Sequence, residues 1–263
     1  LETFERLFLF FSKSITQIAF GADANGTSNP DLLPMMQFCR AQGVIPNITV
    51  ADITEETAKR LAEVCGAVSV SRYDKDACYN SVASLTGFGL QQCNIHCMLS
   101  EETYAEALEL LEDVKTDDRL KKLNAVVFLS LKQKGRGENF NVLAKPRFDA
   151  LVKRALEMGI NFGFDSCSCN KFLDTIKDHS EYKRFETVVE PCEALCFSMY
   201  CNVDGHFYPC SFIEGEEGWE QGFDMLQVDN FLKEVWFSKK VLEYRAQIIA
   251  ARGYKRSCFY FDV

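Results

Sequence analysis

A chain of 263 residues, 47% hydrophobic and 25% charged, has an ordinary globular composition and room for one large domain, or a large one with a smaller companion. A net charge of −9 gives the surface as a whole no attraction for phosphate backbones, so a nucleic-acid partner is not expected. No apolar run approaches the ~20 residues a membrane helix needs, and the opening LETFERLFLFFSKS carries acids and no cleavage pattern; the expectation is a cytoplasmic protein with neither signal nor membrane contact.

The opening stretch reads as an amphipathic helix. A β-rich run follows at 14–21 (SITQIAFG), then a helix at 29–43 with Asn29 as cap, Pro30 in its first turn and Gly43 closing it. Strand 44–51 leads to helix 54–66, with a Thr54 cap and early acids. Strand 67–73, helix 76–89 and strand 92–99 continue the rhythm. A long helix at 100–123 with a Ser100 cap, strand 124–132, helix 146–159 and strand 161–166 complete it. Strands joined by helices must run parallel, with right-handed crossovers. Their apolar content predicts a sheet covered on both faces, either an open doubly wound sheet or an open or closed (β/α) barrel. No GxGxxG follows the first strand and there is no P-loop, which weighs against dinucleotide and nucleotide-hydrolase readings.

In such folds ligands bind at the C-terminal ends of the strands. The residues expected there are polar: Gly21 to Gly26, Asn47, Thr49, Ser69, Ser71, Asn94, His96, Ser130, Lys132 and Asp165. A single strand-end polar group ordinarily satisfies a loop; a whole series of them points to a site.

After residue 165 the pattern changes. Two short helices are expected within 170–190, then a hairpin turning at Asp204-Gly205, an acidic loop at 214–222 and one helix over 230–251. That last helix would bury a stripe of Phe231, Leu232, Val235, Trp236, Leu242 and Ile248. The predicted domains are therefore 1–165 and 166–263.

Twelve cysteines is a high count for a chain without a secretory signal, and disulfides are rare in the reducing cytosol. Cys39, Cys65, Cys78, Cys93 and Cys97 sit in apolar periodic contexts and read as small core residues. The stretch PCEALCFSMYCNVDGHFYPCSF is different: Cys192, Cys196, Cys201 and Cys210 crowd a hairpin, with Cys258 far downstream. Cys201, on a strand arm before the turn, reads as packing. The CxxC knuckles usual for zinc are absent, whereas iron–sulfur clusters tolerate looser spacing because each iron takes its own thiolate.

That segment resembles the SPASM or Twitch extension of radical S-adenosylmethionine enzymes, where a Cys, about a dozen residues, Gly-x4-Cys and a distant Cys hold an auxiliary [4Fe–4S] cluster. Here the pattern runs Cys192-x12-Gly205-x4-Cys210 and then Cys258. The strand–helix rhythm resembles the same family's partial (β/α)6 barrel, with QIAFGADANGTSNPDL standing where that family binds the methionine amine. The resemblance covers essentially the whole chain and implies an α/β fold: a partial (β/α)6 barrel with a small C-terminal α+β iron–sulfur extension. It implies cluster ligands Cys167, Cys192, Cys210 and Cys258, with Cys196 the alternative to Cys167. It implies S-adenosylmethionine contacts at Gly21, Asp23, Asn25, Asn47, Thr49, Ser71 and Asn94, and a peptide or small-molecule substrate; catalytic residues are not assigned.

Two features depart from the family. Its defining Cys-x3-Cys-x2-Cys, which holds the second [4Fe–4S] cluster, does not occur in this sequence, and the Gly-Gly-Glu-Pro-like loop reads GADANGT, without Glu or Pro. The chain resembles a family member read from its first crossover helix onward, so S-adenosylmethionine and the second cluster are expected only together with such a motif. The alternatives are a non-catalytic iron–sulfur scaffold derived from that family and a zinc-stabilised α/β binding protein.

Overall fold

The computed structural model describes residues 1–11, 14–253, 258 and 260. Helix α1 (Glu2–Phe11) precedes six strands: β1 (Gln17–Phe20), β2 (Ile45–Val50), β3 (Ala67–Ser71), β4 (Gln92–Leu99), β5 (Ala125–Ser130) and β6 (Phe162–Phe164). Between them lie α2 (Leu32–Ala41), α3 (Glu55–Val64), α4 (Lys75–Gly87), α5 (Tyr104–Thr116) and α6 (Lys145–Glu157). All six strands form one parallel sheet in chain order, β1 to β6.

That order separates the two architectures the sequence left open. A doubly wound sheet reverses its strand order at a switch point, and this sheet does not. Right-handed crossovers taken always in the same direction put every helix on the same face. The fold is α/β and compatible with a partial barrel. One-sided cover also corrects the expectation of strands buried on both faces. In β2, β3 and β5 buried residues alternate with half-exposed ones: Ile48, Val50, Val68, Val70, Val126 and Phe128 lie under the helices.

Local chemistry explains the element ends. Thr54 caps α3, its hydroxyl accepting from the Thr57 amide at 3.2 Å, and Asp74 caps α4 through the Ala77 amide at 2.9 Å. Asn29 does not cap α2. Its side chain accepts from the Asp31 amide at 2.9 Å in an Asx turn, so the helix starts at Leu32. The expected helix over 100–123 is shorter at both ends. Ser100 closes a turn on Thr103, and at the far end Asp117 turns extended, accepting from the Arg119 amide and guanidinium, so only a 3-10 turn (Asp118–Leu120) follows α5.

The chain divides into two compact units, Leu1–Leu129 with Leu143–Gly163, and Ser130–Val142 with Phe164–Val263. In the first, Phe8, Cys39 and Val44 form a cluster edged by Phe4, Ile18, Phe20 and Phe38, with Phe8 and Phe38 edge-to-face at 5.1 Å. The second carries α7 (Cys169–Thr175), α8 (Tyr182–Val188) and a three-stranded antiparallel sheet of β7 (Tyr200–Cys201), β8 (His206–Tyr208) and β9 (Phe223–Asp224). Gly205 turns the hairpin at φ 83°. The third strand, unforeseen in the sequence, fits because Gly222 has no side chain; a Cβ there would lie 2.4 Å from the Phe207 carbonyl.

The expected 230–251 helix is two pieces, a π-helical turn (Leu232–Trp236) and α9 (Lys239–Gly253), broken at Phe237-Ser238. The break rotates the stripe. Phe231, Val235 and Ile248 are buried as expected, but Leu232 and Leu242 are exposed, and Val241 and Tyr244 take their place inside. Among the described residues no helix is long and apolar enough to cross a membrane.

Outside the sheet, Tyr79 of α4 is fully buried, with its hydroxyl donating to Asp113 at 2.7 Å and Arg72, Lys75 and Arg119 within 5.1–5.7 Å of its ring. Replacing it with Phe keeps the ring and removes a buried bond to a carboxylate. Tyr79→Phe is expected to cost about 2 kcal/mol in urea unfolding, on the scale of hydrogen bonds to charged groups. A loss below about 0.5 kcal/mol would show that the cations alone satisfy Asp113.

Candidate metal centre

The second unit gathers thiols from distant stretches of the chain. Cys167 lies in a 3-10 turn (Ser166–Ser168) just after β6, and its thiol is hydrogen-bonded to that of Cys258. That bond and burial hold the Cys167 proton on well above the usual thiol range. Cys210 follows β8. Burial raises its pKa, while the backbone of Phe212 and Ile213 pulls the other way; the Ile213 amide donates to the Cys210 carbonyl at 3.1 Å. Cys258 acts electrostatically on Cys210 as well.

Tyr244 of α9 joins the group. It is 5% exposed, and burial, with smaller electrostatic contributions from Cys192, Cys210 and Cys258, pushes its hydroxyl far above the ordinary phenol range. Tyr260 stacks on it at 6.5 Å and 18°, and Trp219 meets it edge-on at 5.8 Å. Cys167, Cys192, Cys210 and Cys258 are thus linked through shared partners behind an aromatic wall.

Cys196 stands in different company. It follows Leu195, which has a positive φ of 57°, and its charge partner is Arg245, whose Nε donates to the Leu195 carbonyl at 2.5 Å. Cys201 pairs with Phe207 across the hairpin, and its sulfhydryl lies 3.7 Å from the Asn202 carbonyl. None of the twelve cysteines is in a disulfide. Among the described residues no three or more His, Cys, Asp and Glu side chains are placed to hold a metal ion.

Beside the thiols lies a buried polar chain that the sequence offered only as separate strand-end residues. Lys132, two residues beyond the end of β5, is 7% exposed and makes an ion pair with Asp165. Ser168 donates to the other Asp165 oxygen at 2.5 Å, and Ser130 and Ser168 share a bond of 2.6 Å. Lys134 ties the same loop to the 212–216 segment through the Phe212 carbonyl at 2.8 Å and Glu216 at 2.6 Å.

In the first unit the expected S-adenosylmethionine contacts share a sheet face but not one level. Strand register aligns Thr49 with Ser69 and Asn94, and Ser71 with His96, on the face away from the buried residues. Ser71 ends β3. Asn47 and Asn94 are each third in their strands, so they lie in the N-terminal halves and not at the C-terminal ends where they were expected. Asn47 is engaged in structure: it donates to Gln17 at 2.9 Å and accepts from the Ala67 amide at 2.8 Å. Asn94 accepts from Asn124 at 2.9 Å.

The loop after β1 carries Gly21, Asp23 and Asn25. The Asp23 carboxylate accepts from the amides of Asn25 (3.3 Å) and Ser28 (3.1 Å), which lowers its pKa, and the Ala24 carbonyl accepts from Ala51 at 2.7 Å. A cleft of about 300 Å³ lined by Asn25, Thr27, Asp52, Ile53, Thr54 and Thr57 opens beside it.

Comparison with protein-family models and with curated proteins gave no match. The chemistry of the site therefore rests on its own geometry.

Cys65, Cys78, Cys93 and Cys97 are buried, as their periodic contexts suggested, and burial raises each thiol to about 12 from 9.0. A proton held more tightly in the folded state contributes stability below pH 9 that is lost as pH climbs towards 12. Cys93→Val is expected to flatten the fall in urea-unfolding free energy between pH 8.5 and 10.5 relative to the parent chain. Identical slopes would mean that the Cys93 thiol ionises in the folded state as freely as in the unfolded one.

Proposed function

We propose that this chain is the barrel and auxiliary-cluster part of a radical S-adenosylmethionine enzyme: a partial (β/α)6 barrel followed by an iron–sulfur extension in which Cys167, Cys192, Cys210 and Cys258 bind one [4Fe–4S] cluster. The observation that carries it is the gathering of these four thiols, from four separate stretches, around Tyr244 and the Cys167–Cys258 hydrogen bond. Each iron of a cluster takes its own thiolate, so the loose spacing of these cysteines suits a cluster, whereas zinc sites usually carry CxxC knuckles. Such a cluster supplies one-electron transfer when bound.

The chain's own residues have separate tasks. Tyr244, Tyr260 and Trp219 pack against one another in the same unit. Thr49, Ser69 and Ser71 offer donors and acceptors to a peptide or small polar substrate along the half-exposed sheet face. S-adenosylmethionine, at Gly21, Asp23, Asn25 and the strand positions, needs the Cys-x3-Cys-x2-Cys motif that these 263 residues lack.

One observation favours the iron–sulfur scaffold as a second reading. The Asp23 carboxylate is already taken up by the amides of its own loop, and the family's Glu is absent, which leaves that loop less able to hold an amine.

Anaerobic reconstitution with iron and sulfide tests the iron–sulfur assignment that both readings share and separates it from a zinc site. About four irons per chain are expected, falling by half or more in Cys210→Ala and Cys258→Ala and unchanged in Cys201→Ala. Iron that survives Cys210→Ala, or one zinc per chain with no iron, would sink the assignment. Tight calorimetric binding of S-adenosylmethionine to the same protein counts against the scaffold; weak or absent binding is expected of either reading for this chain alone.

A further inference from the structure

We propose that Lys132 is the positioning residue of the thiol centre: its ammonium joins the Asp165-x-Cys167 and Cys210-x-Phe212 segments and supplies the positive charge that a reduced cluster requires. The proposal rests on the reading of the four thiols as cluster ligands.

The geometry is specific. Lysine is almost never fully buried without a partner, and Lys132 is 7% exposed. Its ammonium pairs with Asp165, two residues before Cys167, and lies 5.2 Å from the ring centroid of Phe212, two residues after Cys210. One cation thus touches both cysteine-bearing turns. The second Asp165 oxygen is held by Ser168, and Ser168 by Ser130, so neither the carboxylate nor the ammonium can swing away without breaking the chain.

A purely structural role is a poor account of this arrangement. Removing an ammonium and a carboxylate from water is costly, and well-packed apolar residues commonly serve stability as well or better. An ion pair kept against two thiols from separate segments has a function that an apolar pair lacks. Reduction of a thiolate-bound cluster adds one electron and one negative charge, and a nearby ammonium favours that state over the oxidised one.

The test uses the full chain, reconstituted anaerobically with iron and sulfide, and follows one-electron reduction by dithionite through redox mediators. Lys132→Gln keeps a donor for Asp165 but removes the charge; it is expected to lower the midpoint potential and to speed iron loss to a chelator several-fold. Asp165→Asn leaves the ammonium uncompensated and is expected to raise the midpoint. Shifts of opposite sign cannot come from general damage, and either variant alone suffices if the other does not fold. Midpoints and iron release within error of the parent chain in a folded, iron-loaded variant overturn the role of Lys132 alone. A parent chain that takes up no iron overturns the cluster reading first, before any variant is compared.

Discussion

Everything in the larger sheet depends on the handedness of its connections. A right-twisted strand followed by a right-handed helix returns to the sheet on one side only, and this chain makes that crossover five times without reversing direction. The helices therefore share a face. In β2 to β5 every second residue is buried and the residues between are mostly half-exposed, so Val68 and Val70 are core while Ser69 and Ser71, on the same strand, are not. The row of Thr49, Ser69 and Asn94 and the pair of Ser71 and His96 follow from that constraint together with parallel register. A doubly wound sheet of the same composition would have hidden both faces and could not have displayed them.

The second unit solves a different problem. Its sheet is short and its helices are broken, so it has little regular structure with which to build a core. Aromatic packing supplies part of the answer, with Phe207 between Phe223 and Phe231, and Trp219 against Tyr244. The remainder is polar: the Lys132–Asp165 pair, its two serines and the lysine at 134, which reaches the 212–216 segment. Buried groups of this kind are costly unless fully satisfied, and here both carboxylate oxygens of Asp165 have partners. An iron–sulfur cluster on Cys167, Cys192, Cys210 and Cys258, as proposed, would add a crosslink between segments distant in sequence.

Much of this was legible in the sequence because local signals agreed. The strand–helix alternation, the Thr54 cap, the Asp204-Gly205 turn and the apolar contexts of Cys93 and Cys97 each have a short-range cause, and the structure carries all of them. The misreadings share a different cause: decisions made by tertiary partners. Asn47 looks like a ligand-binding strand residue until Gln17 and the Ala67 amide are seen to occupy it. Asp117 ends α5 by preferring Arg119 and its own turn to another helical bond. The break at Phe237-Ser238 changes which face of the last helix is buried, and no Gly or Pro marks it. Lys132, Asp165 and Ser168 were visible as residues, but nothing in the linear order says that they touch.

The loop after β1 is where the fold and the chemistry of the first unit are hardest to separate. A loop that must receive an amine needs an uncommitted acceptor near the strand end. Here the acceptor of the right charge, Asp23, folds back on its own amides, and the Ala24 carbonyl is anchored by β2. Both features make the loop rigid, and rigidity is useful in a binding loop only if the groups it presents are the ones the ligand needs. Asn25 and Thr27 are what it presents, to a cleft that Asp52, Thr54 and Thr57 complete. An amide and hydroxyls can hydrogen-bond an amine or a ribose but cannot neutralise a cation, whereas Asp52 can do so from β2's end. The carboxylate that lines this cleft is therefore Asp52, while Asp23, one of the seven contacts that the family resemblance implies, turns to the amides of its own loop.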